Sequence, residues 1–249
     1  MNETKKNKGA GISPEFYATL EVGLDTRQGV AYAGVKEMVE KYCVGANNAI
    51  DYGCGAGRST RFLKQAGLNQ VVGVDINQEM LNQAAQREIP GTSYYHIESG
   101  VLPFKDGTFD LAFSGLAILE ISSADEIHKV LTELKRVVTN QGTVIILTCT
   151  KEGHLTGSDS FEPILTAEQQ ANIKDGDAVP TRVKETGQMF TDYYWSDEFL
   201  KTALQEAGLM VVEVKLPTTI PGQSNEDLQS NDQPPYVIYV SKNMKLLFN

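Results

Sequence analysis

Four residues with closely set spacing carry the clearest chemistry in this chain. Asp51 closes a short apolar run, and Gly53, Gly55 and Gly57 follow at every second position in AIDYGCGAGRST, residues 49–60. A helix-compatible stretch comes next, then a second apolar run, Val71 to Val74, closed by Asp75. This order predicts a strand, a glycine turn, a helix and a parallel strand, with a ligand crevice at the carboxyl ends of the strands. Glycines let the turn take positive φ and let a ligand approach the backbone closely. The helix start offers free N–H groups and the positive end of its dipole. An acid ending the second strand can accept hydrogen bonds from both hydroxyls of a ribose. The spacing narrows the ligand further. A dinucleotide fingerprint Gly-x-Gly-x-x-Gly counted from Gly53 needs a glycine at 58, where Arg58 stands. Asp51 would repel a pyrophosphate but suits a cationic amino group. The ligand expected has a ribose, an adenine and an ammonium, and no diphosphate.

That description fits S-adenosylmethionine, and at this point Asp51–Gly57 resembles the first motif, (D/E)-x-G-x-G-x-G, of the class I S-adenosylmethionine-dependent methyltransferases. Val72-Gly73-Val74-Asp75-Ile76 looks like the family's second motif. Leu102-Pro103-Phe104-Lys105-Asp106-Gly107-Thr108-Phe109-Asp110 is similar to its LPFxDxxFD stretch. Leu134-Lys135-Arg136-Val137-Val138 with Asn140-Gln141-Gly142 resembles the helix and turn before its fifth strand. The resemblance covers 44–150 well and 195–214 more loosely. It implies that Asp51 contacts the cofactor's ammonium directly or through water, that Gly53, Gly55 and Gly57 shape the loop, and that Asp75 binds the ribose. It further implies that Ile76 and Met80 sandwich the adenine and that Glu98, where the family more often has Asp, meets the adenine amine. Ser99 would offer its N–H to the ring, and Ser114, Gly115 and Leu116 would line the methionine part.

Those residues need a scaffold, and the alternation of signals supplies one. Strands are expected near 48–52, 70–75, 93–97, 110–114 and 143–149, with helices over 57–66, 77–88 and 123–138. This pattern argues for a parallel sheet covered by helices on both faces. Asn77 reads as an N-cap and Ser123 with Glu126 as a capping box. The expected fold is α/β: a Rossmann-like, seven-stranded, mostly parallel sheet with its last strand, 236–241, antiparallel. A single domain over 1–249 is expected, with a flexible tail over 1–12, a helical lid over 13–43, and the cofactor-binding core over 44–150. An acceptor-side insertion over 151–195, read as a polar, irregular stretch, would follow the fifth strand. It carries one short helix, capped by Thr166 with Gln169. A helix capped by Ser196, a strand over 209–216, a polar loop over 218–235 and the final strand make up 196–249.

The family's chemistry is an in-line methyl displacement, governed mainly by positioning, with a general base where the acceptor must lose a proton. Many relatives carry Leu-Glu-His after the fourth strand; here Leu119-Glu120 is followed by Ile121. His154, after the fifth strand, is the catalytic candidate, while His96 and His128 read as structural. Tyr17, Tyr193, Tyr194 and Trp195 are candidates to wall the acceptor cavity. With 249 residues and a net charge of −10, the chain repels a nucleic-acid partner on average. Cys43, Cys54 and Cys149 form no CxxC pair, so no metal site or disulfide framework is expected and the protein reads as cytoplasmic. Neither a signal peptide nor a membrane span is evident. The expectation is a monomer or homodimer that methylates a small molecule. The alternatives are a protein methyltransferase, a non-catalytic cofactor-binding subunit and a nicotinamide-dependent oxidoreductase.

Overall fold

Strand β1 (Asn48–Tyr52) lies at the middle of a seven-stranded sheet because its side chains are apolar on both sides: Ala49 faces one core, Ile50 and Tyr52 the other. The structure is a computed structural model describing Pro14 and residues 27–157, 160–218 and 234–244. Strands β2 (Gln70–Asp75) and β4 (Phe109–Gly115) flank β1 in parallel, with Ile50 opposite Val72 on one side and Ala112 on the other. β3 (Thr92–His96) extends the sheet beyond β2, and β5 (Val138–Cys149) extends it beyond β4, both parallel. Two later strands, β9 (Leu209–Lys215) and β10 (Tyr236–Asn243), complete the order β3-β2-β1-β4-β5-β10-β9. β10 runs antiparallel to both its neighbours.

The period of two along each strand divides the interior into two cores. Leu111, Phe113, Ile145, Leu147, Ile238 and Val240 face one side, where helix α1 (Arg27–Tyr42) contributes Ala31, Val35, Met38 and Val39 and helix α2 (Arg58–Gln65) contributes Leu63. Ala112, Val144, Ile146, Val237 and Tyr239 face the other. There α4 (Ala124–Val137) lays down Ile127, Val130, Leu131, Leu134 and Val137, a stripe at helical spacing. Between them α3 (Gln78–Ala85) starts at Asn77, whose side chain accepts from the N–H groups of Glu79 and Met80. Ser123 accepts from the N–H of Glu126 at the start of α4.

The Leu102–Phe104 stretch is fastened to α4 by one side chain. Arg136 donates to the carbonyls of Leu102 and Phe104 and to the carboxylates of Asp106 and Glu133. Glu133 in turn accepts from the N–H of Leu102 at 2.9 Å. Strand β5 is longer than expected, because Val138 already pairs with Phe109 and a register shift separates that contact from the Leu111–Thr143 pair.

The insertion over 151–195 differs from the irregular stretch expected. After α5 (Lys151–Thr156) it forms an antiparallel sheet of β6 (Phe161–Pro163), β7 (Ala178–Val183) and β8 (Met189–Tyr193), with α6 (Ala167–Ala171) between β6 and β7. The signal was Val179, Thr181 and Val183, all buried on alternate positions, and Pro180 between them argued against a strand. Both halves of the Thr166–Gln169 capping box are present. The insertion ends at Trp195, whose Nε1 donates to the Ile121 carbonyl at 3.0 Å, and α7 (Asp197–Glu206) then begins with Ser196 capping Phe199. The tail over 1–12, residues 13 and 15–26 of the expected lid, and 219–233 of the expected loop lie outside the described residues.

Candidate active site

The glycine loop is shaped by close contacts as well as by backbone angles. Gly53 has φ 71°, and a Cβ there would lie 2.3 Å from the Cβ of Ala117 in the loop after β4. Gly57 has φ 79° at the N-cap of α2, and a Cβ there would lie 2.5 Å from the Tyr94 hydroxyl. The N–H of Gly55 donates to Asp75 Oδ2 at 2.7 Å, and the N–H of Asn77 donates to Asp75 Oδ1 at 2.8 Å. The loop is thus tied to the end of β2, and the Asp75 carboxylate is oriented with acceptor capacity left over. Burial raises its pKa, and the two N–H bonds hold it back down.

A cavity of about 530 Å³ opens here, at the carboxyl ends of β1, β2, β4 and β5. Its volume falls in the range of sites that take small organic ligands. At one end it is walled by Gly53, Gly55, Asp75, Ile76, Met80, Ile97 and Ser99. Ile76 is half exposed there. Gly115 and Leu116 form part of its floor, and Leu116 takes φ 60°, a left-handed conformation that a branched side chain adopts only under constraint. The other end is walled by His154 on α5 and by Phe161, Phe190 and Tyr193 of the inserted sheet.

Several expected residues sit elsewhere. Asp51 is fully buried behind the loop rather than in the cavity wall, and its Oδ2 accepts from the hydroxyls of Ser59 at 2.7 Å and Thr60 at 2.6 Å. Its Oδ1 has no hydrogen-bond partner, and burial raises its pKa to about 6. Gly57 is turned toward Tyr94 and away from the cavity. Glu98 is exposed and outside the cavity, because the chain turns sharply where its carbonyl accepts from the N–H of Val101; its neighbours Ile97 and Ser99 take the wall instead. Ser114 points into the sheet, fully buried. Tyr194 and Trp195 pack inward, Tyr194 edge-on to His154 and Trp195 stacked on Phe199. Tyr17 lies outside the described residues.

His154 reaches the cavity wall from a buried position, and burial lowers its pKa to about 4, so the ring is neutral at physiological pH. Three residues lining the cavity were passed over in the sequence. Arg58 opens α2 with its guanidinium 5.4 Å from the Tyr32 ring centroid. Glu120 lies in a 3-10 turn after β4, and Asp192 on β8. Asp192 was available as a signal, being the one acid in the aromatic run Thr191–Trp195. Among the described residues no group of three or more His, Cys, Asp or Glu is placed to hold a metal ion. Among them no helix is long and apolar enough to cross a membrane.

A sheet ordered in this way, with a glycine loop after its first strand and an acid closing its second, defines a nucleoside-binding α/β protein. Residues 50–146 match the family model described as Methyltransferase domain. The chain is 34% identical over 115 residues to a malonyl-[acyl-carrier protein] O-methyltransferase of Erwinia billingiae, a match covering 46% of this chain and 44% of the relative. It is 29% identical over 130 residues to a probable 18S rRNA (guanine-N(7))-methyltransferase of Dictyostelium discoideum, covering 46% and 45%. The chain therefore spans less than half the length of these curated relatives. An S-adenosylmethionine-dependent methyltransferase of Mesorhizobium loti has the same fold, with a TM-score of 0.62 at 17% identity, covering 87% of this chain and all of that one. Residues 50–146 are therefore similar to a methyltransferase domain, and the chain has the fold of solved S-adenosylmethionine-dependent methyltransferases. The cavity suits S-adenosylmethionine: it meets bare backbone at Gly53 and Gly55 and an oriented carboxylate at Asp75, and among the described lining residues it has one Lys or Arg, Arg58, where a diphosphate would call for a cluster.

Proposed function

We propose that this protein transfers a methyl group from S-adenosylmethionine to a small-molecule acceptor. The observation that carries the proposal is the cavity running from the glycine loop to the inserted sheet, which would give donor and acceptor one continuous space of about 530 Å³. Asp75 would hold the ribose hydroxyls, Ile76 and Met80 the adenine, Ser99 its edge, and Gly53, Gly55, Gly115 and Leu116 the methionine portion. When bound, S-adenosylmethionine supplies a methyl group already activated on a sulfonium. The protein's own contribution is to align and to exclude water, and alignment of this kind is worth on the order of 7–11 kcal/mol. Phe161, Phe190 and Tyr193 shield the acceptor end from solvent. His154, kept neutral by burial and lining the cavity, would accept a hydrogen bond from the acceptor.

The relatives named above act on a carrier protein and on ribosomal RNA. The aromatic wall at the acceptor end and the net charge of −10 favour a free small molecule over either. The test has two parts. Calorimetric titration with S-adenosylhomocysteine should show binding that Asp75→Ala reduces by tenfold or more, about 1.4 kcal/mol or greater. A screen of small metabolites, read as S-adenosylhomocysteine release, should then identify an acceptor. Equal binding by the parent and Asp75→Ala would refute the placement of the cofactor. Turnover with a carrier protein or RNA alone would refute the acceptor class.

A further inference from the structure

The acceptor end of the cavity has a marked charge character. Asp192 projects from β8 into its wall, and its Oδ1 is sealed from solvent with no hydrogen-bond partner. An unsatisfied buried polar atom costs about 1–3 kcal/mol, so a site that keeps one is completed when a donor arrives. Glu120 lines the same space from the turn after β4, close enough for its charge to oppose ionisation of Asp192. Among the described lining residues the only Lys or Arg is Arg58, which belongs to the glycine-loop end and lies over Tyr32. His154 carries no charge at physiological pH. The remaining surface near Asp192 is apolar or aromatic: Val179, Pro180, Phe161, Phe190 and Tyr193.

We infer that the acceptor is an organic amine, bound as a cation with its ammonium against Asp192 and its apolar body against the aromatic wall of the inserted sheet. For transfer the ammonium would yield one proton to Asp192, and the nitrogen lone pair so freed would bond to the methyl carbon as the carbon–sulfur bond breaks, leaving S-adenosylhomocysteine neutral at sulfur. This inference rests on the proposed function in taking this end of the cavity as the acceptor side. A cation meets a carboxylate whose hydrogen-bonding capacity is unused, in a setting where the opposite charge restores the ionised form of Asp192. Aromatic rings add a further attraction for it. An anionic acceptor meets Asp192 and Glu120 without a compensating cation among the described residues of this end, so a free carboxylic acid is disfavoured.

The experiment uses two probes of similar shape and opposite charge, phenethylamine and 3-phenylpropionate, titrated calorimetrically into the full chain saturated with S-adenosylhomocysteine. The parent protein should bind the amine and not the acid. Asp192→Asn should weaken the amine about tenfold or more and leave S-adenosylhomocysteine affinity unchanged, which also reports that the variant is folded. The inference is overturned if the acid binds as tightly as the amine, if neither probe binds, or if the folded variant keeps the parent's amine affinity. The comparison of probes on the parent alone decides the matter should Asp192→Asn fail to fold. Failure of the parent to bind S-adenosylhomocysteine overturns the methyltransferase reading instead, so the two failures are distinguishable.

Discussion

Replacing Asp51 with Asn tests the reading of the buried acid behind the glycine loop. Burial is the largest influence on this carboxyl and raises its pKa from the ordinary 3.8 to about 6; the Ser59 and Thr60 hydroxyls pull it partly back. A raised acid binds its proton more tightly in the folded chain than in the unfolded one. Its contribution is therefore most favourable below pH 3.8, and stability is lost as pH rises toward 6 and above. The full loss is about 3 kcal/mol, and about 2 kcal/mol of it falls between roughly pH 4.5 and roughly pH 7.5. Asn keeps an oxygen for the two hydroxyls but does not titrate. It also places an amide N–H₂ near the position where Oδ1 now lacks a partner, which costs about 1–3 kcal/mol at every pH.

The absolute stability of Asp51→Asn is thus a sum of opposing effects, whereas its pH dependence is not. Chemical denaturation of parent and variant at several pH values separates the two. The difference between them should move in favour of the variant by about 2 kcal/mol across that window, because groups not coupled to Asp51 are common to both proteins and cancel, and its coupling to Asp75 and Arg58 is among the smaller influences on it. Denaturation curves whose free-energy difference stays constant from about pH 4.5 to about pH 7.5 would refute the assignment of a raised pKa to Asp51.

Three further outcomes follow from the same geometry. Gly53→Ala should cut S-adenosylhomocysteine affinity by tenfold or more in calorimetry, since its Cβ would overlap Ala117 and the residue sits at φ 71°; parent-like affinity would mean that the loop is pliable. Arg136→Ala should lower unfolding free energy by about 2–3 kcal/mol in urea, because charge-assisted bonds to Leu102, Phe104, Asp106 and Glu133 are lost together, and Arg136→Lys should not restore it. Because His154 stays neutral down to about pH 4, the pH–rate profile of the parent should show no inflection near the ordinary histidine value that His154→Gln removes.

The cofactor half of this molecule was readable from the chain because its constraints are local. The turn at Gly53–Gly57 needs positive φ at fixed steps, and the acid at Asp75 sits where a buried strand ends, so residue types and spacing express the geometry directly. Asn77, Ser123, Thr166 and Ser196 likewise cap helices through bonds two or three residues away. Where the geometry depends on distant segments, the same reasoning lost its purchase. Glu98 occupies the expected count from Leu102, yet a turn closed by its carbonyl and the Val101 N–H carries its side chain outward. Trp195 looked like a cavity wall and instead fastens the insertion to the Ile121 carbonyl, 74 positions away. The inserted sheet was hidden because β7 carries Pro180 and β6 is three residues long, so no strand signal survives without its partners.

The two orphaned carboxyl oxygens connect these halves. Oδ1 of Asp51 lies behind the loop whose backbone lines one end of the cavity, and Oδ1 of Asp192 lies in the wall of the other. Burial raises the pKa of each acid, and each weakens the fold at neutral pH by holding acceptor capacity without a donor. Such a cost is recovered only by ligands that bring hydrogen-bond donors or positive charge. Asp51 lies behind the loop and outside the cavity wall, so a ligand in the cavity does not reach it directly, whereas the amine inferred above would answer that requirement at Asp192. Under the two proposals above, the cavity would take two cations, the sulfonium of S-adenosylmethionine and the amine. Mutual repulsion between them is lowered by the carboxylates on either side, and the product keeps its affinity for the Asp192 end whenever the methylated nitrogen remains charged. For such an amine, product release therefore competes directly with substrate binding, and inhibition by the methylated product is the kinetic signature this charge arrangement requires.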